Sequence, residues 1–266
     1  IYATVERDSH FSVTSTAPEI KSLWQDFSCR MDAHELKDIA KSGSFFCYCA
    51  GVASYMLEWY KVGGVKINIT KMTLPIKSGL SSSAAICVLV ARAFNLMYNL
   101  NLSTMGEMNI AYWGELRTSS RCGRLDQACA FGVHPVLMTF DAEEVEVKNF
   151  NIRETLYWVF SDLNGTKDTI KILTDLNKAF PFAEGEREKN VQYALGELNQ
   201  KTVNEAITLM EEGRVEELGA LMTKAQADFD KYITPMCPSQ LSSPKLHQIL
   251  ADERIKELSY GGKGVG

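Results

Sequence analysis

Apolar and polar residues alternate from Val65 to Thr70 (Val-Lys-Ile-Asn-Ile-Thr), with β-branched residues along one side. A period of two predicts a strand with one buried face. Pro75 to Ser82 then reads as a loop of small and turn-forming residues. From Ser83 to about Tyr98 no breaker interrupts a run rich in Ala, Ile, Val, Leu, Phe and Met, which predicts a largely buried helix. A second helix is predicted from Ser103 to about Arg117. Ser103 and Glu107 resemble an N-terminal cap region there, and Met105, Met108 and Ala111 recur at helical spacing. Leu125 to Ala130 predicts a further short helix, and Val136 to Phe140 a strand ending in an acidic turn.

Thr155 to Ser161 reads as another strand, and the domain boundary is placed just before it, giving segments 1–152 and 153–266. The second segment is mostly helical in pattern: Asp168 to Phe180, Glu186 to Glu211 with a break near Thr202, and Val215 to Tyr232. Ser242-Ser243-Pro244 reads as the cap of a helix starting at Lys245, since proline suits the first turn. The chain opens at Ile1 in a strand-like Ile-Tyr-Ala-Thr-Val and stops in a glycine run, which reads as trimming at both ends.

Composition narrows the function classes. With 45% apolar and 23% charged residues in 266, the chain can bury two cores and is not a disordered segment. A net charge of −5 leaves no concentrated basic face for a nucleic-acid backbone. The basic stretch Arg117 to Arg124 is read as a solvated or substrate-side loop. No run reaches the roughly 18 to 20 apolar residues that span a bilayer. Seven scattered cysteines form neither a disulfide framework nor a zinc spacing, so Cys47 and Cys49 are read as buried thiols and the location expected is a reducing cytoplasm. The partner expected is a small molecule, with no nucleic acid and no membrane, and a monomer or homodimer as the assembly.

Candidate chemistry centres on Pro75-Ile76-Lys77-Ser78-Gly79-Leu80-Ser81-Ser82-Ser83-Ala84-Ala85. A Ser/Gly loop between a strand and a buried helix aims backbone N–H groups and the positive end of the helix dipole at one spot, as phosphate requires. It lacks the Gly-x-x-x-x-Gly-Lys-Ser/Thr spacing of a P-loop. Serine also serves as an ordinary helix cap, and on spacing alone both readings stay open. Asp126 by itself reads as a capping residue, and Glu115 as a solvent-facing position on its helix.

The serine loop resembles the Pro-x-x-x-Gly-Leu-Ser-Ser-Ser-Ala/Ser signature of the GHMP kinase family. Cys122-Gly123-Arg124-Leu125-Asp126-Gln127 is similar to the Cys-Gly-x-Met-Asp-Gln of its galactokinase-like sugar kinase branch. The resemblance implies an α+β two-domain fold, with an N-terminal domain like domain 2 of ribosomal protein S5 and a ferredoxin-like C-terminal domain. It implies ATP and Mg2+ as cofactors and phosphoryl transfer to a hydroxyl of a sugar-like substrate. Pro75, Ser78, Gly79, Leu80, Ser81, Ser82, Ser83 and Ala84 would hold the nucleotide, Ser83 and Glu115 the magnesium ion, and Asp126 would face the acceptor hydroxyl as catalytic base or anchor.

Lys167 and Asp168, in Asn164-Gly165-Thr166-Lys167-Asp168-Thr169, fit the substrate-side loop of that branch. Leu218-Gly219-Ala220-Leu221-Met222, Leu241 to Leu246 and the run Gly261 to Gly266 resemble its later positions, the glycine run as the opening of a third signature beside the phosphates. Lys77 departs from the small residue often found there. The first signature, which carries sugar contacts, is absent and would lie upstream of Ile1. The acceptor is therefore open, with a mevalonate kinase or an inactive sugar- and ATP-binding sensor as the alternatives.

Overall fold

The computed structural model describes residues 1–18, 25–44, 46–74, 80–120, 122–132, 135–165 and 167–265, which form two compact units, 1–147 and 148–266. In the first unit, β1 (Tyr2–Asp8), β2 (His10–Ser15) and β3 (Phe27–Arg30) are followed by α1 (Ala33–Lys41), α2 (Cys47–Trp59) and β4 (Gly64–Lys71). These strands make one sheet in the order β1-β4-β2-β3, with β2 and β4 parallel and the other pairs antiparallel. The alternation read in Val65 to Thr70 is borne out by β4, in which Val65, Ile67 and Ile69 are wholly buried while Lys66 faces outward and pairs with Glu6 at 2.9 Å.

Against that face lie α2, α3 (Ser82–Tyr98) and α4 (Thr104–Glu115). Cys49, Ala50, Val52, Ala53 and Met56 of α2 are fully buried, as are Ile86, Cys87, Val90, Ala91 and Phe94 of α3. Helices this apolar on several sides belong in the middle of a layer. A short 3-10 helix (Asp126–Phe131) and the hairpin of β5 (Val136–Asp141) and β6 (Glu144–Asn149) follow.

The packing of α2 on α4 is set by two glycines. A Cβ on Gly51 would lie 2.3 Å from the Gly114 carbonyl oxygen, and one on Gly114 would lie 2.6 Å from the Val52 Cα. Because the obstacle in both cases is backbone, neither side can yield by turning a rotamer, so the two helices touch main chain to main chain. Ser103 caps α4 through the Gly106 N–H at 3.1 Å, as its position predicts. Glu107 has a different role from the one expected: it is buried, pairs with Arg92 of α3 at 2.7 Å and accepts from Asn95 Nδ2 at 2.8 Å. Arg92 also donates to the Ala130 carbonyl at 2.9 Å, which ties the 3-10 helix to the same network.

The second unit contains α5 (Thr169–Asn177), α6 (Glu186–Tyr193), a π-helical turn (Ala194–Leu198), α7 (Asn199–Glu212), α8 (Val215–Tyr232), α9 (Pro238–Leu241), α10 (Pro244–Ala251) and α11 (Glu253–Leu258). Its described residues beyond β6 include no strand, so of the ferredoxin-like arrangement they show the helices. The strand predicted over Thr155 to Ser161 is not formed, and Tyr157 and Val159 are 91% and 95% exposed. A strand is held by its ladder, and no partner strand lies among the described residues of this unit. The helix break also differs from the one read at Thr202. Thr202 is helical, its hydroxyl donating to the Leu198 carbonyl at 2.9 Å, while the irregular turn falls around Gly196, the weaker helix former.

Replacing Gly114 with alanine is expected to destabilise the first unit by about 1–3 kcal/mol or more through overpacking. Urea unfolding of Gly114→Ala beside Gly106→Ala, whose added Cβ meets its nearest neighbour at 3.4 Å, measures this, and equal midpoints would contradict the close approach.

Candidate active site

Three segments of the first unit converge: the start of α3, the end of α4, and the 3-10 helix. Of the serine loop, Pro75 to Gly79 lie outside the described residues, while Leu80, Ser81, Ser82, Ser83 and Ala84 lead into α3. Ser81 occupies the N-cap in a left-handed conformation (φ 53°, ψ 43°), uncommon for a residue with a Cβ, and its hydroxyl makes no capping hydrogen bond. Its serine identity is thus not spent on capping. The helix dipole at this end favours an anion.

Ser83, half-buried one residue into α3, lies close enough to the Glu115 carboxylate to favour its charged form. Glu115 ends α4 and is only 1% exposed, not solvent-facing as its position alone would indicate. Its Oε2 accepts from Gln127 Nε2 at 2.8 Å and its Oε1 from the Ser120 hydroxyl at 3.4 Å. Burial pushes the Glu115 carboxyl above its ordinary value. Ser83 and the hydrogen bonds from Gln127 and Ser120 oppose that rise, and the negative charge of Asp126 adds to it.

Asp126 begins the 3-10 helix with its side chain exposed. Cys122 borders the cluster, its Sγ 3.8 Å from Gln127 Nε2, and its thiol is pushed up to about 11 by burial first and by the Glu115 charge second.

Ser83, Glu115 and Asp126 thus lie in one neighbourhood although they come from separate segments. Hydroxyl and carboxylate oxygens form the donor set that suits a hard divalent cation. No basic side chain among the described residues contributes to holding the Glu115 charge. No group of three or more His, Cys, Asp or Glu among the described residues could hold a metal by itself, so a cation here would draw its remaining ligands from phosphate and water.

Residues 47–133 match the family model for the GHMP kinases N-terminal domain. That interval contains the α2 to 3-10 segment and all three converging residues. Residues 47–133 thus match a GHMP kinase N-terminal domain. The chain is 29% identical over 216 residues to a galactokinase of Thermotoga petrophila, covering 71% of this chain and 60% of that one. The chain spans 28 to 60% of the length of curated galactokinase relatives. Two solved structures share the fold at a TM-score of 0.64. The Lactococcus lactis galactokinase complexed with galactose is 16% identical, with 87% of this chain and 66% of that chain covered. A mevalonate kinase is 18% identical, with 100% and 78% covered.

Other expected positions have plainer surroundings. Lys167 and Asp168 are exposed in the second unit. The Asp168 carboxylate caps α5 through the Lys171 N–H at 2.9 Å, and its own N–H donates to Gln240 Oε1 at 2.8 Å. Arg117 and Arg124 do not form a solvated basic loop: Arg117 donates to Ser54 and Glu58, and Arg124 pairs with Glu143 while lying 4.9 Å over the Tyr112 ring. The glycine run is docked along α8, where the Gly262 N–H meets Thr223 Oγ1 at 3.3 Å and the Gly264 N–H meets Gln226 Oε1 at 2.8 Å.

Sequence reasoning passed over Gln127 and Ser120. Gln127 stands inside the quoted Cys122–Gln127 motif, so its signal was present; Ser120, in a polar loop, carries none. All seven cysteines are free, and no helix among the described residues is long and apolar enough to cross a membrane.

The raised carboxyl of Glu115 has a definite sign. The folded state holds this proton more tightly than the unfolded chain, so the contribution is full below the ordinary 4.5 and is lost as pH rises through the higher folded value. Urea midpoints taken across this range for wild type and Glu115→Gln are expected to diverge in slope, with the variant flatter. Parallel curves would contradict a perturbed Glu115.

Proposed function

We propose that this chain is the nucleotide- and metal-binding part of an ATP-dependent kinase that transfers the γ-phosphoryl group to a hydroxyl of a galactose-type sugar. In this reading residues 1–152 are the GHMP kinase N-terminal, nucleotide-binding domain and 153–266 the C-terminal domain. The observation that carries it is the buried carboxylate of Glu115, close to Ser83 on the first turn of α3 and held at 2.8 Å by Gln127, the neighbour of Asp126. The resemblance had paired Ser83 and Glu115 as cation ligands.

The serine loop, from Pro75, Ser78 and Gly79 through Leu80 to Ala84, holds the phosphates at the start of α3. Ser83 and Glu115 hold Mg2+, which when bound neutralises charge on the phosphoryl group in transfer. Asp126 orients the acceptor hydroxyl or takes its proton late, as a loose transition state allows. Lys167 and Asp168 are assigned to the substrate side. The galactokinase relatives support a sugar acceptor, and the free thiols support a reducing, cytoplasmic setting. Mevalonate is the second reading, favoured by a mevalonate kinase structure that covers the whole chain.

The test is ADP release by the full-length protein with magnesium-ATP over galactose, arabinose, heptoses, uronic acids and mevalonate. Turnover is expected on galactose. Asp126→Ala should lower kcat by about 100-fold or more, with the unfolding midpoint unchanged because the side chain is exposed. Turnover on mevalonate alone would establish the second reading. Binding of ATP and sugar without ADP release would instead make the protein a sensor.

A further inference from the structure

We propose that Gln127 is a positioning residue that aims the Glu115 carboxylate at the bound cation. This rests on the kinase reading above. Gln127 is wholly buried, and its Nε2 donates to Glu115 Oε2 at 2.8 Å and to Cys122 Sγ at 3.8 Å. Its Oε1 is buried and has no hydrogen-bond partner among the described residues.

A buried amide with one end unsatisfied is a poor choice for stability, since the desolvation of that carbonyl is uncompensated. An apolar side chain of the same length would fill the space without that cost but would remove the donor to Glu115 Oε2. A buried glutamine that carries this cost points to a function for the half that is bonded.

The bonded half has a specific effect. Glu115 can turn about its terminal torsion, which is broad and two-fold. A donor held rigidly at Oε2 by the 3-10 helix fixes the plane of the carboxylate, and with it the direction of Oε1, on which the Ser120 hydroxyl converges. Hydrogen bonds from outside the ligand set commonly tune a metal site in this way, and their loss weakens metal affinity about 10- to 100-fold. The 3-10 helix is itself anchored by the Arg92 bond to the Ala130 carbonyl, so the donor does not drift with the loop before it.

The experiment compares wild type, Gln127→Met and Glu115→Ala of the full-length protein. Two quantities are measured: the unfolding midpoint in metal-free buffer, and the calorimetric affinity for ADP with and without Mg2+. Gln127→Met preserves length and loses the donor, and Gln127→Leu serves as a second variant should the first fail to fold. The expected result is a folded variant with unchanged ADP affinity without Mg2+ and a magnesium-dependent gain in affinity reduced about 10- to 100-fold.

A merely structural glutamine would lower the midpoint and leave the magnesium dependence intact, which overturns the proposal. If Glu115→Ala abolishes the magnesium dependence while Gln127→Met and Gln127→Leu keep it, the positioning role fails and the kinase site stands. If wild type itself shows no magnesium-dependent gain, both fall together.

Discussion

Everything at the candidate site depends on how closely α4 approaches α2. Gly51 and Gly114 let the two backbones meet where any side chain would strike main chain, and the residue after Gly114 is Glu115. A helix held that deep ends inside the unit, so its last carboxylate is delivered to the interior beside the first turn of α3. Burying a carboxylate is costly unless hydrogen bonds compensate. Gln127 and Ser120 supply them, with Ser83 close by. Glu107 then locks the assembly by bonding Arg92 and Asn95 of α3, and Arg92 reaches on to the 3-10 helix. Three segments distant in sequence become one rigid piece.

The same geometry gives the site its electrostatic character. Glu115 and Asp126 are both acidic, and the nearer environment of Glu115 is made of hydroxyls and an amide, which stabilise an anion less than a cationic partner does. Such a carboxylate favours either a proton or a metal ion. Ser81, held in the left-handed region without capping the helix, opens the α3 N-terminus on the opposite charge preference. A cation with an anionic ligand satisfies both halves at once, which is the physical case for a metal-nucleotide over either component alone.

Much of this was legible in the sequence where periodicity was strong. The alternation of Val65 to Thr70 became β4, the unbroken apolar run became α3, and Ser103 became the cap of α4. The serine loop and the Cys122–Gln127 motif carried the resemblance to the GHMP kinases because both are short, specific and correctly ordered. What stayed hidden was set by tertiary contact. Glu107 resembled a cap because its partners, Arg92 and Asn95, are reached only through packing. Glu115 resembled a surface residue because nothing local announces that Gly114 seats on α2. Thr155 to Ser161 has the composition of a strand, but composition supplies no ladder partner, and the described residues of the second unit hold none.

The central claim is that Ser83, Glu115 and Asp126 form a single phosphoryl-transfer site, and a crystal structure with Mg2+ and a non-hydrolysable ATP analogue tests it most directly. The account predicts the ion bound by the Ser83 hydroxyl and the Glu115 carboxylate, the phosphates at the first turn of α3, and the terminal phosphoryl group facing Asp126. A nucleotide seated elsewhere, or an ion whose ligands include neither Ser83 nor Glu115, would contradict it.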